Sequence, residues 1–207
     1  MGARLYLFAI GYMAATKLVA ALIHRIAMGA WPSFGDTTLP LMLGAILVST
    51  WVQAGEELGC RGYELPRLAT HLGLGGASVL LGVFWALWHL PLFFLRGSGS
   101  EGQSFPIYLL HVTALSVAMS WLYWKAEGSL LLVILMHASV NNTTGIVPAA
   151  VPKAVSAMSF EGSLVAWATV GVSSVVAALL LSQMRGAEIG AMLNLGARQS
   201  LLGEPTV

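Results

Sequence analysis

The stretch SLVAWATVGVSSVVAALLLSQM, residues 163–184, runs from end to end without a charged side chain. At 1.5 Å of rise per residue it matches a bilayer core, which asks for roughly 20 apolar residues in succession. With no water in the hydrocarbon, a spanning segment must satisfy its own backbone N–H and C=O groups, which leaves helices and closed barrels. The apolar residues here are continuous rather than set at every second position, and that selects a helix.

Five more segments read the same way: about Leu5–Ala27, Leu39–Gly55, Leu74–Leu95, Pro106–Trp124 and Ser129–Ile146. Between them lie Gly, Pro and Ser clusters that punctuate a chain: Trp31 to Asp36, Arg96 to Ser100, Glu127-Gly128, and Val147 to Gly162. The run from Leu5 to Ile23 is interrupted by Lys17 and has no small-residue cleavage site, so it reads as a retained helix rather than a signal peptide. The expectation is an all-α integral membrane protein, a bundle of about six transmembrane helices forming one domain over residues 1–207. Residues 185–207, short and Gly-rich, read as a loose tail.

Composition agrees. The chain is 57% hydrophobic and 9% charged, whereas soluble domains carry roughly a quarter charged residues. Membrane lipid is therefore its bulk partner. A net charge of +1 without a basic patch excludes nucleic acid as a partner. One cysteine, Cys60, excludes an internal disulfide and a multi-cysteine metal cluster. With a cytoplasmic N-terminus, the inner loops hold Arg4, Arg61, Arg67, Lys125, Arg185 and Arg198, against Arg25, Arg96 and Lys153 outside. That bias predicts that both termini are cytoplasmic.

Ionisable side chains within spans are costly, so each invites a functional reading. In Gly55-Glu56-Glu57-Leu58-Gly59-Cys60-Arg61, Glu57 and Arg61 are four apart, about 40° around a helix, and can pair. Glu56 is turned away from that arginine and stays available for chemistry. Gly55 and Gly59 make a small-xxx-small step suited to a close helix neighbour. His89 lies in the aromatic segment Phe84-Trp85-Ala86-Leu87-Trp88-His89-Leu90-Pro91. His137 and Asn141 share a face at four-residue spacing. Each motif alone has a structural reading: a helix-end charge cluster, a core histidine, an interhelical hydrogen-bond pair. Together they supply, from three spans, a general base, a histidine for proton work or metal ligation, and an amide for an oxyanion. Lys17 reads as a snorkelling side chain, His24 and His111 as structural, and His71 as a loop residue.

The ordered set Glu-Glu-x-x-x-Arg at Glu56, Glu57 and Arg61, Trp85-x-x-x-His89, and His137-x-x-x-Asn141 resembles the CPBP family, the CAAX proteases and bacteriocin-processing enzymes also called the Abi family. The flanks Arg61-Gly62-Tyr63-Glu64-Leu65-Pro66 and Trp88-His89-Leu90-Pro91 fit as well, and the family-like core covers about residues 48–146. The resemblance implies an intramembrane endopeptidase. Family members trim prenylated CAAX substrates or serve bacteriocin processing and immunity, so the substrate would be a hydrophobic or lipidated peptide. Carried over by motif, the catalytic set is Glu56, Glu57, His89, His137 and Asn141. Glu56 and His89 would activate water, and His137 and Asn141 would hold it or stabilise the oxyanion. Glu57 with Arg61 would brace the helix. Cys60 departs from the family, which often has a bulky aromatic there. Glu56, His89 and His137 also have the makings of a three-ligand zinc (Zn) site, although no His-Glu-x-x-His helix is present.

Helix arithmetic raises a difficulty. If the turns near residue 72 and Gly128 share one depth, a straight second helix misaligns Glu56 and His137 by about 10 Å. Pro66 offers a remedy, since proline kinks helices. The expectation is a short bent interfacial helix after the Glu-Glu-x-x-x-Arg motif. Two other functions compete: a non-enzymatic scaffold or bacteriocin-immunity protein, and a small transporter. The intact motif set favours the enzyme, and the lack of an inverted repeat counts against transport. Serine and aspartyl intramembrane proteases lack their nucleophile motif and their aspartate pair.

Overall fold

The computed structural model describes residues 2–98, 100, 103–143, 147 and 163–185. Among these, every regular element is helical: α1 (Ala3–Met28), α2 (Leu39–Glu57), a π-helix (Leu58–Glu64), α3 (Leu65–His89), a 3-10 turn (Leu90–Phe93), α4 (Phe105–Lys125), α5 (Leu130–Asn142) and α6 (Leu164–Met184). Most of the loop expected over Val147–Gly162, and the tail after Arg185, lie outside the described residues.

Among the described residues, four helical stretches, not six, are long and apolar enough to cross a membrane: Ala3–Met28, Leu39–Phe93, Phe105–Lys125 and Leu164–Met184. Two physical reasons overturn the count of six. The second and third expected spans fall within one run of helix, Leu39–Phe93, of 55 residues. In it the helix continues past Gly55 through the π segment and is broken by a single non-helical residue, Gly73, rather than by a loop. The fifth is 13 residues long, about 20 Å of helix against roughly 30 Å of hydrocarbon. The protein is nonetheless a multi-pass integral membrane protein.

Local chemistry accounts for the element ends. α1 stops at Gly29, whose φ of 72° is left-handed and whose N–H closes on the Arg25 carbonyl. α2 and α4 each carry proline within the first two positions, where a missing N–H is no loss. α3 ends at His89 because Pro91 cannot donate to it. A turn with positive φ at Glu127 and Gly128 joins α4 to α5.

The bend after the Glu-Glu-x-x-x-Arg motif takes a different form from the one expected. No separate interfacial helix follows Arg61. The backbone widens into the π-helix and passes through Pro66 without a break. Reversal comes instead at Gly73, with φ 67° and ψ 165°, a conformation essentially confined to glycine. Trp85 and Glu56 then meet at 3.1 Å although 29 residues apart, a separation of about 44 Å along one straight helix.

Two antiparallel pairs build the core. α5 runs back along α2: Asn142 bonds Ser49, His137 bonds Glu57, and Leu130 sits against Gly62. α4 runs back along α3, with Phe93 on Phe105, His89 near Tyr108, and Gly82 on Thr113 and Ser116. α1 packs on α5 and α6, and α6 on α4, closing the bundle. The close helix approach occurs at Gly82, where a Cβ would lie 2.7 Å from the Thr113 Cα. It does not occur at Gly55 or Gly59, where a Cβ would meet nothing within 4 Å. Lys17 also departs from expectation. Its side chain is wholly buried rather than snorkelling to an interface. His111 is buried too, with Ser173 at 3.4 Å from its Nδ1, and His71 lies in a helix rather than a loop.

Candidate active site

Glu57, Arg61 and His137 form the buried floor of the site. Glu57 and Arg61 are fully buried, and His137 is 4% exposed. Arg61 Nη1 donates to both Glu57 oxygens at 3.0 Å. On the other side of the same carboxylate, His137 Nδ1 stands 2.7 Å from Oε1. A carboxylate of this kind only accepts, so the His137 Nδ1 carries a proton and donates it in a hydrogen bond to Glu57. Arg61 Nη2 reaches across to Ser116 Oγ at 3.2 Å, and that hydroxyl donates to the Ser78 carbonyl at 2.9 Å. The charge is thus paired and both terminal nitrogens of Arg61 are bonded, while its buried Nε has no hydrogen-bond partner among the described residues.

Glu56 and His89 sit above this floor, and both are half-buried. Glu56 Oε2 accepts the Trp85 indole N–H at 3.1 Å. His89 Nδ1 stands 2.8 Å from the Trp85 carbonyl. A carbonyl is an acceptor only, so this ring too carries its proton on Nδ1 and presents Nε2 as the basic nitrogen. Trp85 joins the two levels. Its ring meets His137 edge-on, centroids 5.1 Å apart at 78°, and the Arg61 guanidinium carbon lies 4.8 Å from the indole centroid.

Asn141 is half-buried on α5, one turn beyond His137. Its neighbour Asn142 ties α5 to α2, donating to Ser49 Oγ at 2.6 Å and to the Ala138 carbonyl at 2.8 Å. The fold therefore brings Glu56, Glu57, Arg61, His89 and His137 to one place, but it pairs His137 with Glu57 rather than with Glu56. Sequence reasoning missed Ser116 and Ser78, which sit in ordinary apolar helix and have no pattern to reveal them. It also assigned no chemistry to the N–H of Trp85. That aromatic motif offers two indole donors, Trp85 and Trp88, which is a signal the sequence does contain.

Among the described residues, no three His, Cys, Asp or Glu side chains gather closely enough to hold an ion. Both histidines keep Nε2 free, since Nδ1 is engaged by Glu57 in one and by the Trp85 carbonyl in the other. The side chains do not converge on one point, however, so the residues present do not fit a three-ligand zinc centre.

A half-exposed carboxylate and a histidine, each bonded to Trp85 next to a buried ion pair that fixes a second histidine, are groups that can take a proton from water. Comparison with known proteins supplies a family. A sequence model of the family described as type II CAAX prenyl endopeptidase Rce1-like matches residues 36–143, just over half of the chain. The match takes in α2 through α5 and so contains every site residue named above. The chain is also similar to CAAX prenyl protease 2 of Methanococcus maripaludis, with 32% identity over 115 residues. That alignment covers 53% of this chain and 41% of the archaeal protein, so the similarity spans less than half of that relative.

Proposed function

Since the chain belongs to the Rce1-like family of CAAX-protease membrane proteins, we propose that it is an intramembrane endopeptidase that hydrolyses a hydrophobic or lipidated peptide, of the prenylated CAAX or bacteriocin type. The observation that carries this reading is the division of the site by burial. Glu56 and His89 are open to a reacting molecule, while Glu57, Arg61 and His137 are shut away as support.

A water between the Glu56 carboxylate and His89 Nε2 faces two proton acceptors. Glu56 takes one proton as the water oxygen attacks the scissile carbonyl carbon, and the C=O π pair moves onto the carbonyl oxygen. Asn141, with two amide N–H bonds, is the neutral donor suited to that oxyanion. The Nδ1–H tautomer of His137 makes its Nε2 an acceptor, which assigns it to holding the water rather than the oxyanion. Collapse of the tetrahedral intermediate breaks the C–N bond, and the proton on Glu56 passes to the departing amine. Arg61 and Glu57 move no proton in this scheme. They keep the His137 ring in one tautomer and one orientation.

The test is cleavage of a panel of lipidated and hydrophobic peptides by purified protein in detergent, comparing wild type with Glu56→Gln, with and without a chelator. Glu56→Gln is isosteric and removes the base, so turnover should fall by a factor on the order of 10²–10⁴ while the protein stays folded. Loss of wild-type cleavage on chelation would replace carboxylate-activated water with a metal. A well-folded wild type that cleaves nothing in the panel would move the assignment to a scaffold or immunity protein.

A further inference from the structure

Trp85 stands where the open and the buried halves of the site meet. It is 3% exposed, so its indole N–H has little access to water, and its acceptor is the Glu56 carboxylate at 3.1 Å. The same residue's carbonyl accepts from His89, its ring edge faces His137, and Arg61 lies against it. A glutamate has three rotatable side-chain bonds, and a half-exposed one samples several orientations unless something holds it. A phenylalanine here would fill the same space and meet the same neighbours, but it has no donor for Glu56.

We propose that Trp85 is a positioning residue whose indole N–H holds Glu56 Oε2 and so leaves Oε1 aimed at the reacting water. The inference rests on the reading of Glu56 as the water-activating carboxylate. Its anchor is firm, because the ring is wedged against a buried ion pair on a helix that Gly82 lets close tightly onto α4. The position of α3 thereby sets the orientation of a carboxylate on α2.

Two measurements test this separately. The first uses protein labelled with ¹⁵N-indole tryptophan in detergent. The resonance that disappears in Trp85→Phe belongs to Trp85, and in Glu56→Ala it should move while the other indole signals hold. A resonance unmoved by Glu56→Ala overturns the bond and the proposal with it. The second is kinetic: a hydrogen bond to a charged group implies a kcat loss of about 10–100-fold in Trp85→Phe with KM within about twofold. A folded Trp85→Phe protein with wild-type kcat overturns the positioning role. If that variant does not fold, 3-benzothienylalanine at position 85 keeps the bicyclic ring, replaces N–H by sulfur, and should give the same loss. Wild-type protein that cleaves nothing while the resonance still responds to Glu56→Ala would overturn the peptidase reading and the positioning role, leaving the bond as a structural contact.

Discussion

Adding one methyl group at Gly82 would force apart the helix pair behind the site. In Gly82→Ala the new Cβ would lie 2.7 Å from the Thr113 Cα and 2.8 Å from the Ser116 Cβ. Ordinary carbon contacts are about 3.5–4.0 Å, so α3 and α4 must separate by about 1 Å. The nearer atom is backbone, and no side-chain rotation relieves it. Overpacking costs about 1–3 kcal/mol, and a clash with backbone belongs near the top of that range. Alanine recovers about 0.5–1 kcal/mol as a better helix former than glycine, leaving a net loss of about 2 kcal/mol. For a chain of this size that lowers the melting temperature by about 4–8 °C. The lone cysteine, Cys60, is buried, so a fluorogenic maleimide reports unfolding directly. Gly171→Ala on α6 is the control, since its Cβ would meet nothing within 4 Å. Activity should fall as well, by about 10–100-fold, because a displacement near 1 Å at Trp85 and Ser116 misplaces the groups they hold. If Gly82→Ala melts at or above the wild-type temperature with full turnover, the tight α3–α4 contact is wrong and so is the derivation from it.

Two further substitutions probe the ion pair and the reversal. Arg61→Met leaves the Glu57 charge buried without its guanidinium and should cost about 3–5 kcal/mol, whereas Glu57→Leu with Arg61→Met removes both charges and should melt higher than Arg61→Met alone. Maleimide-monitored melting decides it, and a double variant less stable than Arg61→Met would show that charge pairing is not what Arg61 supplies. Gly73→Ala, at a position with open space around it, should still lose about 1–3 kcal/mol from backbone strain at φ 67° and ψ 165°. An unchanged melting temperature there would mean that the chain reverses elsewhere.

The membrane class, the helical fold and the motif residues could be read from hydrophobicity and spacing, because lipid permits few solutions and an i,i+4 pair is local. Glu57 and Arg61 illustrate this: their 3.0 Å contact needs nothing beyond one helix. The number of spans could not be read, since hydropathy does not distinguish a helix that ends from one that continues through a π segment. Nor could the depth of the site. The expected misalignment assumed that the turns near residue 72 and Gly128 lie level. Leu130 against Gly62 shows that the second turn sits about ten residues short of Gly73, and this lets His137 arrive opposite Glu57. The partner of His137 was also beyond reach. Glu56 and Glu57 are adjacent in sequence, and which of them faces α5 depends on helix packing that no local pattern encodes.

The Glu57–Arg61 contact also bears on biogenesis. His137 lies 80 residues beyond Glu57, so a ribosome completes α2 and the π segment long before that partner exists. During this interval two carboxylates and a guanidinium confront the bilayer, each costly to insert alone. The arginine needs no distant residue to engage Glu57, since four positions along a single nascent helix suffice. The segment can therefore enter lipid with two of those three charges already neutralising each other, and it waits for α5 with a binding place for His137 formed in advance.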